Sequence, residues 1–66
     1  FDGMDFVRKV ILGAWTGLKP GGWILLEHHY DQSISVMNFL DSVGFHEIDY
    51  GKDLEGQKRF AMAMKP

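Results

Sequence analysis

Apolar positions recur along this chain with two different periods, and the switches between them mark its elements. Val7, Val10, Ile11, Ala14, Trp15 and Leu18 follow the i, i+3, i+4 spacing of one helix face, with Arg8 and Lys9 on the other side. This spacing predicts a helix from about Met4 to Gly17. Asp2 and Asp5 stand at its start, where carboxylates suit the positive end of the helix dipole. Gly13 lies inside it and costs about 1 kcal/mol relative to Ala. Its presence points to close packing against a neighbour or to a weak helix end. Lys19-Pro20-Gly21-Gly22 reads as a turn. Pro20 presets φ at the second position, and Gly21 supplies the positive φ that a type II turn needs at the third.

Trp23 to His28 follows as a strand. Its first four residues are continuously apolar, which fits burial on both faces. Asp31 is the expected N-cap of a second helix. That helix carries Val36, Met37, Leu40 and Val43 as its apolar stripe, with Phe39 on the flank. Gly44 occupies the helix-stop position, and Phe45 after it can pack back on the last turn. Glu47 to Tyr50 alternates, with Ile48 and Tyr50 on one face and Glu47 and Asp49 on the other, the period of a half-exposed strand. Leu54 to Lys58 is a loop. Arg59 to Met64 is the last strand, with Phe60, Met62 and Met64 on one face and Ala61 and Ala63 on the other. The small alanines imply that something packs closely on their side.

The predicted order is helix, strand, helix, strand, strand, an α/β arrangement in one partial domain over 1–66. The middle crossover is a right-handed βαβ unit if its two strands share a sheet. The last two strands are joined by a short loop and are expected to form an antiparallel hairpin. Two helices cannot cover both faces of such a sheet. A bare edge and exposed apolar surface follow.

Size and composition narrow the classes. At 66 residues, a chain buries only about 60% of the surface its unfolded form exposes. With no Cys, neither a disulfide nor a cysteine-held metal can supplement the core. The lack of Cys also fits a reducing cytoplasm. The net charge is −2 and the seven Lys and Arg are scattered, unlike the basic footprint of a nucleic-acid binder. The apolar run Trp23 to Leu26 falls far short of the roughly 20 residues of a membrane helix. A cytoplasmic protein without a membrane or direct nucleic-acid partner is the expectation. A chain that opens on Phe1 rather than Met reads as part of something longer.

Leu18-Lys19-Pro20-Gly21-Gly22-Trp23-Ile24-Leu25-Leu26-Glu27 resembles the turn and fifth strand of class I S-adenosylmethionine-dependent methyltransferases. Two flanking pieces narrow the resemblance. Asp2-Gly3-Met4-Asp5-Phe6-Val7-Arg8 is similar to the "DGLDFYR" segment that opens this helix in the HemK/PrmC family, the peptide chain release factor glutamine methyltransferases. Leu26-Glu27-His28 with Asp31-Gln32 resembles that family's "LLEHG…DQ" passage, and Lys52-Asp53-Leu54-Glu55-Gly56 with Arg59 resembles its "KDLAGxxR" hairpin. The similarity runs from Phe1 to about Met64 and corresponds to about the last quarter of a family member.

The resemblance implies the C-terminal part of a Rossmann-like class I methyltransferase sheet. It implies an enzyme that moves a methyl group from S-adenosylmethionine to the glutamine side-chain amide of a Gly-Gly-Gln tripeptide, with release factors as partners. The family holds the donor in a glycine-rich loop and the amide in an Asn-Pro-Pro-Tyr motif. This chain has no G-x-G-x-G pattern, and neither of its prolines follows Asn. No catalytic or cofactor-binding residue is therefore expected within it, and the segment alone is expected to be inactive and to hold no cofactor. One departure stands out: His29 and Tyr30 occupy positions where the family often has Gly or another small residue.

Three residues are candidates for the substrate side: Gly3, Glu27 and His28. Gly3 leaves room near the helix start, or is simply part of a loop. Glu27 with His28 offers an acid/base pair at the strand end that open α/β sheets turn toward ligands, or merely a polar strand end. His28 and His29 point to opposite faces if the strand is regular, and no metal-ligand spacing is present, so no metal site is assigned. Competing readings are another class I methyltransferase, an interaction module that self-associates through its open sheet edge, and a dehydrogenase fragment.

Overall fold

The computed structural model describes residues 4–66. Asp2 and Gly3 lie outside the described residues, and with them the expected helix-start carboxylate and one substrate-side candidate. Along the chain come α1 (Asp5–Gly17), β1 (Trp23–Glu27), a 3-10 turn (Tyr30–Gln32), α2 (Ser33–Val43), β2 (His46–Lys52) and β3 (Lys58–Met64).

The three strands form one sheet in the order β1-β3-β2, with β3 antiparallel to both neighbours. β1 and β2 therefore share a sheet and run parallel to each other, as the crossover requires, but β3 lies between them. β1 meets β3 without a break, from Trp23 opposite Met64 to Glu27 opposite Phe60. β2 meets β3 with register shifts between His46 and Asp49 and between Gly51 and Lys52. Glu47 lies in the first irregularity at φ 54°, the positive-φ conformation that extra residues in bulges adopt.

Both helices pack on one face of this sheet. Val7 and Ile11 of α1 and Val36 and Leu40 of α2 form a single core with Ile24 and Leu26 of β1 and Ala61 and Ala63 of β3. The two alanines are fully buried, which accounts for their size: they lie under the helices. Among the described residues nothing covers the opposite face. The expectation that β1 is buried on both faces is corrected: Trp23 is 54% and Leu25 68% exposed, while Ile24 and Leu26 between them are buried. Val10 likewise falls at the rim of the core at 37% exposure.

The entry to α2 also differs from expectation. Asp31 is not its cap; it sits exposed in the 3-10 turn, and Gln32 takes the N-cap position. Gln32 Oε1 reaches back to accept the His29 N–H at 3.2 Å. The extra turn moves the helix start past the aspartate.

Three local devices hold the layers in place. Gly22 donates to Lys19 O at 2.9 Å, closing the turn before β1, with Gly21 at φ 88°. Gly44 ends α2 at φ 122°, and both its N–H and that of Phe45 return to Leu40 O. Phe45 is 1% exposed and meets the Trp15 ring edge-on, centroids 5.2 Å apart. A Cβ on Gly44 would stand 2.9 Å from the same indole. Finally, Lys65 Nζ donates to the carbonyls of Trp15 (2.5 Å) and Leu18 (2.9 Å). It places a positive charge at the negative end of the α1 dipole and ties that end to the residue just after β3.

The β2–β3 loop is organised by Asp53. Its Oδ1 accepts the N–H groups of Glu55 (2.9 Å) and Gln57 (3.0 Å), and Gly56 turns the chain at φ 81°. Arg59 Nε lies 2.8 Å from Oδ2, close enough for the charges to pair although its N–H is not aligned on the oxygen. The Gln57 N–H above all holds the Asp53 carboxyl below the ordinary aspartate range. The Glu55 N–H and the Arg59 charge add to this and outweigh the opposing desolvation.

These contacts have measurable consequences. Gly44→Ala forces a side chain into positive φ and against Trp15, and lowers unfolding free energy by about 2 kcal/mol in urea denaturation. The folded chain keeps Asp53 ionised to lower pH than the unfolded chain does. Its contribution is therefore present at neutral pH and lost as pH falls below the ordinary aspartate range. Asp53→Asn is less stable than the parent at neutral pH, and the gap in urea midpoint narrows on acidification.

Candidate functional site

The chemistry-bearing side chains gather where β1 ends. β1 delivers Glu27 and His28, and the alternation of the strand sends them apart: Glu27 is exposed, whereas His28 is 5% exposed on the helix-covered side. The structure does not bring them together as an acid/base pair. The backbone of His28 continues the ladder, donating to Arg59 O at 2.8 Å.

The imidazole has a defined role in this position. His28 Nδ1 lies 2.7 Å from His29 O. A carbonyl oxygen can only accept, so Nδ1 carries a proton, and in the neutral ring Nε2 presents a lone pair. Nε2 is buried and has no hydrogen-bond partner among the described residues. Such an atom is costly unless a donor is supplied to it. His29 projects outward to Asp31 Oδ1 at 3.2 Å, and its ring lies against Tyr30, centroids 5.6 Å apart. The two histidines thus serve different surroundings. Among the described residues no three His, Asp or Glu side chains converge on a common point.

Beside Glu27, a cavity of about 190 Å³ opens between α1 and the end of β1, lined by Phe6, Val7, Val10, Leu26 and Glu27. It is an apolar socket with one carboxylate on its rim. Periodicity puts Phe6 outside the helix's core face, so no sequence signal marks it as lining a cavity. A second, wide groove of about 330 Å³ runs between α1 and α2, with Arg8, Ser35, Asn38 and Ser42 among its lining. The described residues do not fit S-adenosylmethionine. The socket is smaller than the roughly 300–1,000 Å³ of small-molecule sites, and no glycine-rich loop supplies a cradle of N–H groups to either opening. What the arrangement can do is bind and orient an apolar stem with a hydrogen-bond donor near Glu27.

The two outer edges of the sheet differ in kind. His28 N–H donates to Arg59 O, and Gly22 O accepts from Lys65 N–H. In an antiparallel ladder these directions alternate. Ile24 and Leu26 therefore turn their main-chain groups to β3, and Trp23, Leu25 and Glu27 turn theirs to the free edge. That edge is apolar, without a bulge, and charged only at its end. The β2 edge carries Glu47, Asp49 and Lys52 and two irregularities. Asp49 Oδ1 accepts the Tyr50 N–H at 2.8 Å, removing one donor from it. These are the features by which proteins blunt a natural edge, and of them β1 has only the Glu27 carboxylate at its end.

No helix among the described residues is long and apolar enough to cross a membrane. No family model matches the chain, and no solved structure does. Curated proteins do match. The chain is 54% identical over 65 residues to a release factor glutamine methyltransferase of Prochlorococcus marinus, covering 98% of this chain and 22% of that protein. It is 37% identical over 65 residues to the protein of that name in Xylella fastidiosa (98% and 24%) and 38% identical over 64 residues to the one in Coxiella burnetii (97% and 23%). The chain thus spans somewhat under a quarter of the length of these relatives. Along 97–98% of its length, then, the chain is similar in sequence to a segment of proteins named release factor glutamine methyltransferase.

Proposed function

We propose that the chain is the C-terminal segment of an S-adenosylmethionine-dependent enzyme that methylates the glutamine side-chain amide of the Gly-Gly-Gln tripeptide in peptide chain release factors. The observation that carries this reading is the match along 98% of the chain to proteins bearing that name, at up to 54% identity. The segment supplies scaffold and one wall of the substrate side, and neither binds the donor nor catalyses transfer alone. The compartment is the cytoplasm, where release factors act on ribosomes.

In this reading the three strands are the end of a larger, Rossmann-like sheet that continues beyond β1. The contrast between the two edges supports it. β1 has the unbroken apolar sequence of an interior strand, and β2 has the charges and bulges of a terminal one. The end of β1 is then the end at which open α/β sheets meet ligands. Glu27, on the rim of the socket, accepts a hydrogen bond from the substrate side. His28, fixed by its bond to His29 O, is a positioning residue whose Nε2 takes a donor from the rest of the enzyme. Gly3, ahead of α1, leaves room for the substrate chain. Holding the amide nitrogen in line with the donor methyl accounts for a large share of the rate in such a transfer.

A graft tests the proposal. This chain replaces the matched 65 residues of the Prochlorococcus marinus relative. The graft methylates release factor glutamine within about tenfold of the parent kcat/KM, while the isolated chain shows no saturable amide shifts on titration with S-adenosylmethionine. A folded graft without activity contradicts the family role, and saturable shifts in the isolated chain contradict the claim that it lacks the donor site.

A further inference from the structure

Because β1 and β2 run parallel on either side of β3, the exits of β1 and β2 and the start of β3 meet at one end of the sheet. Arg59 stands in the middle of that end. Its carbonyl accepts the His28 N–H, and strand alternation sends its side chain to the same side as the buried Ala61 and Ala63. The side chain is held at two points. Nε lies 2.8 Å from Asp53 Oδ2 of the β2–β3 loop, and Cζ lies 5.9 Å from the centre of the Tyr30 ring in the turn after β1. Nε is buried, yet the side chain as a whole is 37% exposed. No oxygen among the described residues accepts from the two outer guanidinium nitrogens.

A guanidinium presents its donors as a rigid planar fork. Here the inner nitrogen is turned to Asp53 and the outer two remain open. Contacts that fix the side chain before a ligand arrives reduce the ordering cost of binding. Charge selects the ligand. The Asp53 carboxylate already offsets the guanidinium, and a second carboxylate would meet that negative charge across it. A neutral acceptor, such as a peptide carbonyl oxygen, meets no such opposition. Leu54 is one residue from this carboxylate and is fully exposed, on a loop that Asp53 fixes by accepting two N–H groups. An exposed leucine is ordinary by itself. Next to an open guanidinium fork it gives apolar surface and donors side by side, the combination that a polypeptide contact uses.

We propose that Arg59 is a specificity-determining residue for the protein substrate: its outer nitrogens donate to main-chain carbonyl oxygens of the release-factor segment that carries the acceptor glutamine, and Leu54 packs against that segment. The inference rests on the functional reading above and adds a substrate contact to it. Open α/β sheets meet ligands at the end of their parallel strands where Arg59 stands. The socket of about 190 Å³ beside Glu27 takes a single side chain. A polypeptide substrate extends past it, to the open donors at the same end.

Two substitutions in the graft test this. Arg59→Lys keeps a positive charge beside Asp53 and removes the fork. Leu54→Ala trims a fully exposed side chain and leaves the loop's hydrogen bonds in place. The release-factor dissociation constant is measured by calorimetry, together with the KM of each substrate. Arg59→Lys weakens release-factor binding and raises its KM by about tenfold, and Leu54→Ala does so by about threefold. The KM for S-adenosylmethionine stays unchanged, and Tm stays within about 2 °C of the parent graft. An Arg59 that only braces the loop moves Tm and both KM values together and leaves Leu54→Ala silent, which overturns the proposal. An active graft whose release-factor affinity ignores both substitutions also overturns it and leaves the functional reading intact. A graft that binds release factor through Arg59 without methylating it supports the contact and contradicts the activity. A folded graft that neither binds nor methylates contradicts both.

Discussion

Ala61 and Ala63 set the terms for the rest of the molecule. They lie on the central strand, hydrogen-bonded on both sides, and are fully buried beneath the helices. Small side chains on that face let Val36 and Leu40 of α2 and Ile11 of α1 come down onto the sheet as one core. Phe45 and Trp15 close one end, with Lys65 tying the helix to the strand layer. All the well-packed apolar surface is on this side. On the opposite face Trp23 and Leu25 are exposed and Met62 and Met64 half-buried.

The elements themselves are legible in the sequence because their signals are local. The i, i+3, i+4 stripes, the Pro-Gly turn, the Gly44 stop and the alternating Met and Ala positions each depend on a few neighbouring residues. The strand order is not legible, because inserting β3 between β1 and β2 depends on pairings between residues far apart in sequence. The cap of α2 departs from expectation for a smaller reason. Asp31 has the right side chain, but one added 3-10 turn lets Gln32 reach back to the His29 N–H instead. The unbroken apolar run of β1 suggests burial on both faces. Only one face is covered, because both helices of this segment lie on the same side.

The substrate-side residues are partly legible. Glu27 and His28 stand out by their place at the strand end, and the structure separates them, one into solvent and one under the helices. The tautomer of His28 and its unpartnered Nε2 depend on the carbonyl of the next residue, which no spacing rule foretells. The Asp53 loop shows the reverse case. In the sequence its Asp, Gly and Arg carry only a resemblance, and in the fold each has a physical role: acceptor for two loop amides, positive-φ turn and counter-charge. Gly13 leaves two explanations open in the sequence, and the empty space above it excludes a neighbour within the described chain.

An interior strand of a larger sheet, with one side bare in this segment, has a distinct exchange pattern. Amide hydrogen exchange, residue by residue, therefore tests the assignment of β1 most directly. In the isolated chain the N–H groups of Trp23, Leu25 and Glu27 exchange quickly while those of Ile24 and Leu26, bonded to β3, are protected. Within the full-length graft, all five are protected. Equal protection of the five in the monomeric isolated chain, or continued rapid exchange at Trp23 and Leu25 in the graft, contradicts the account.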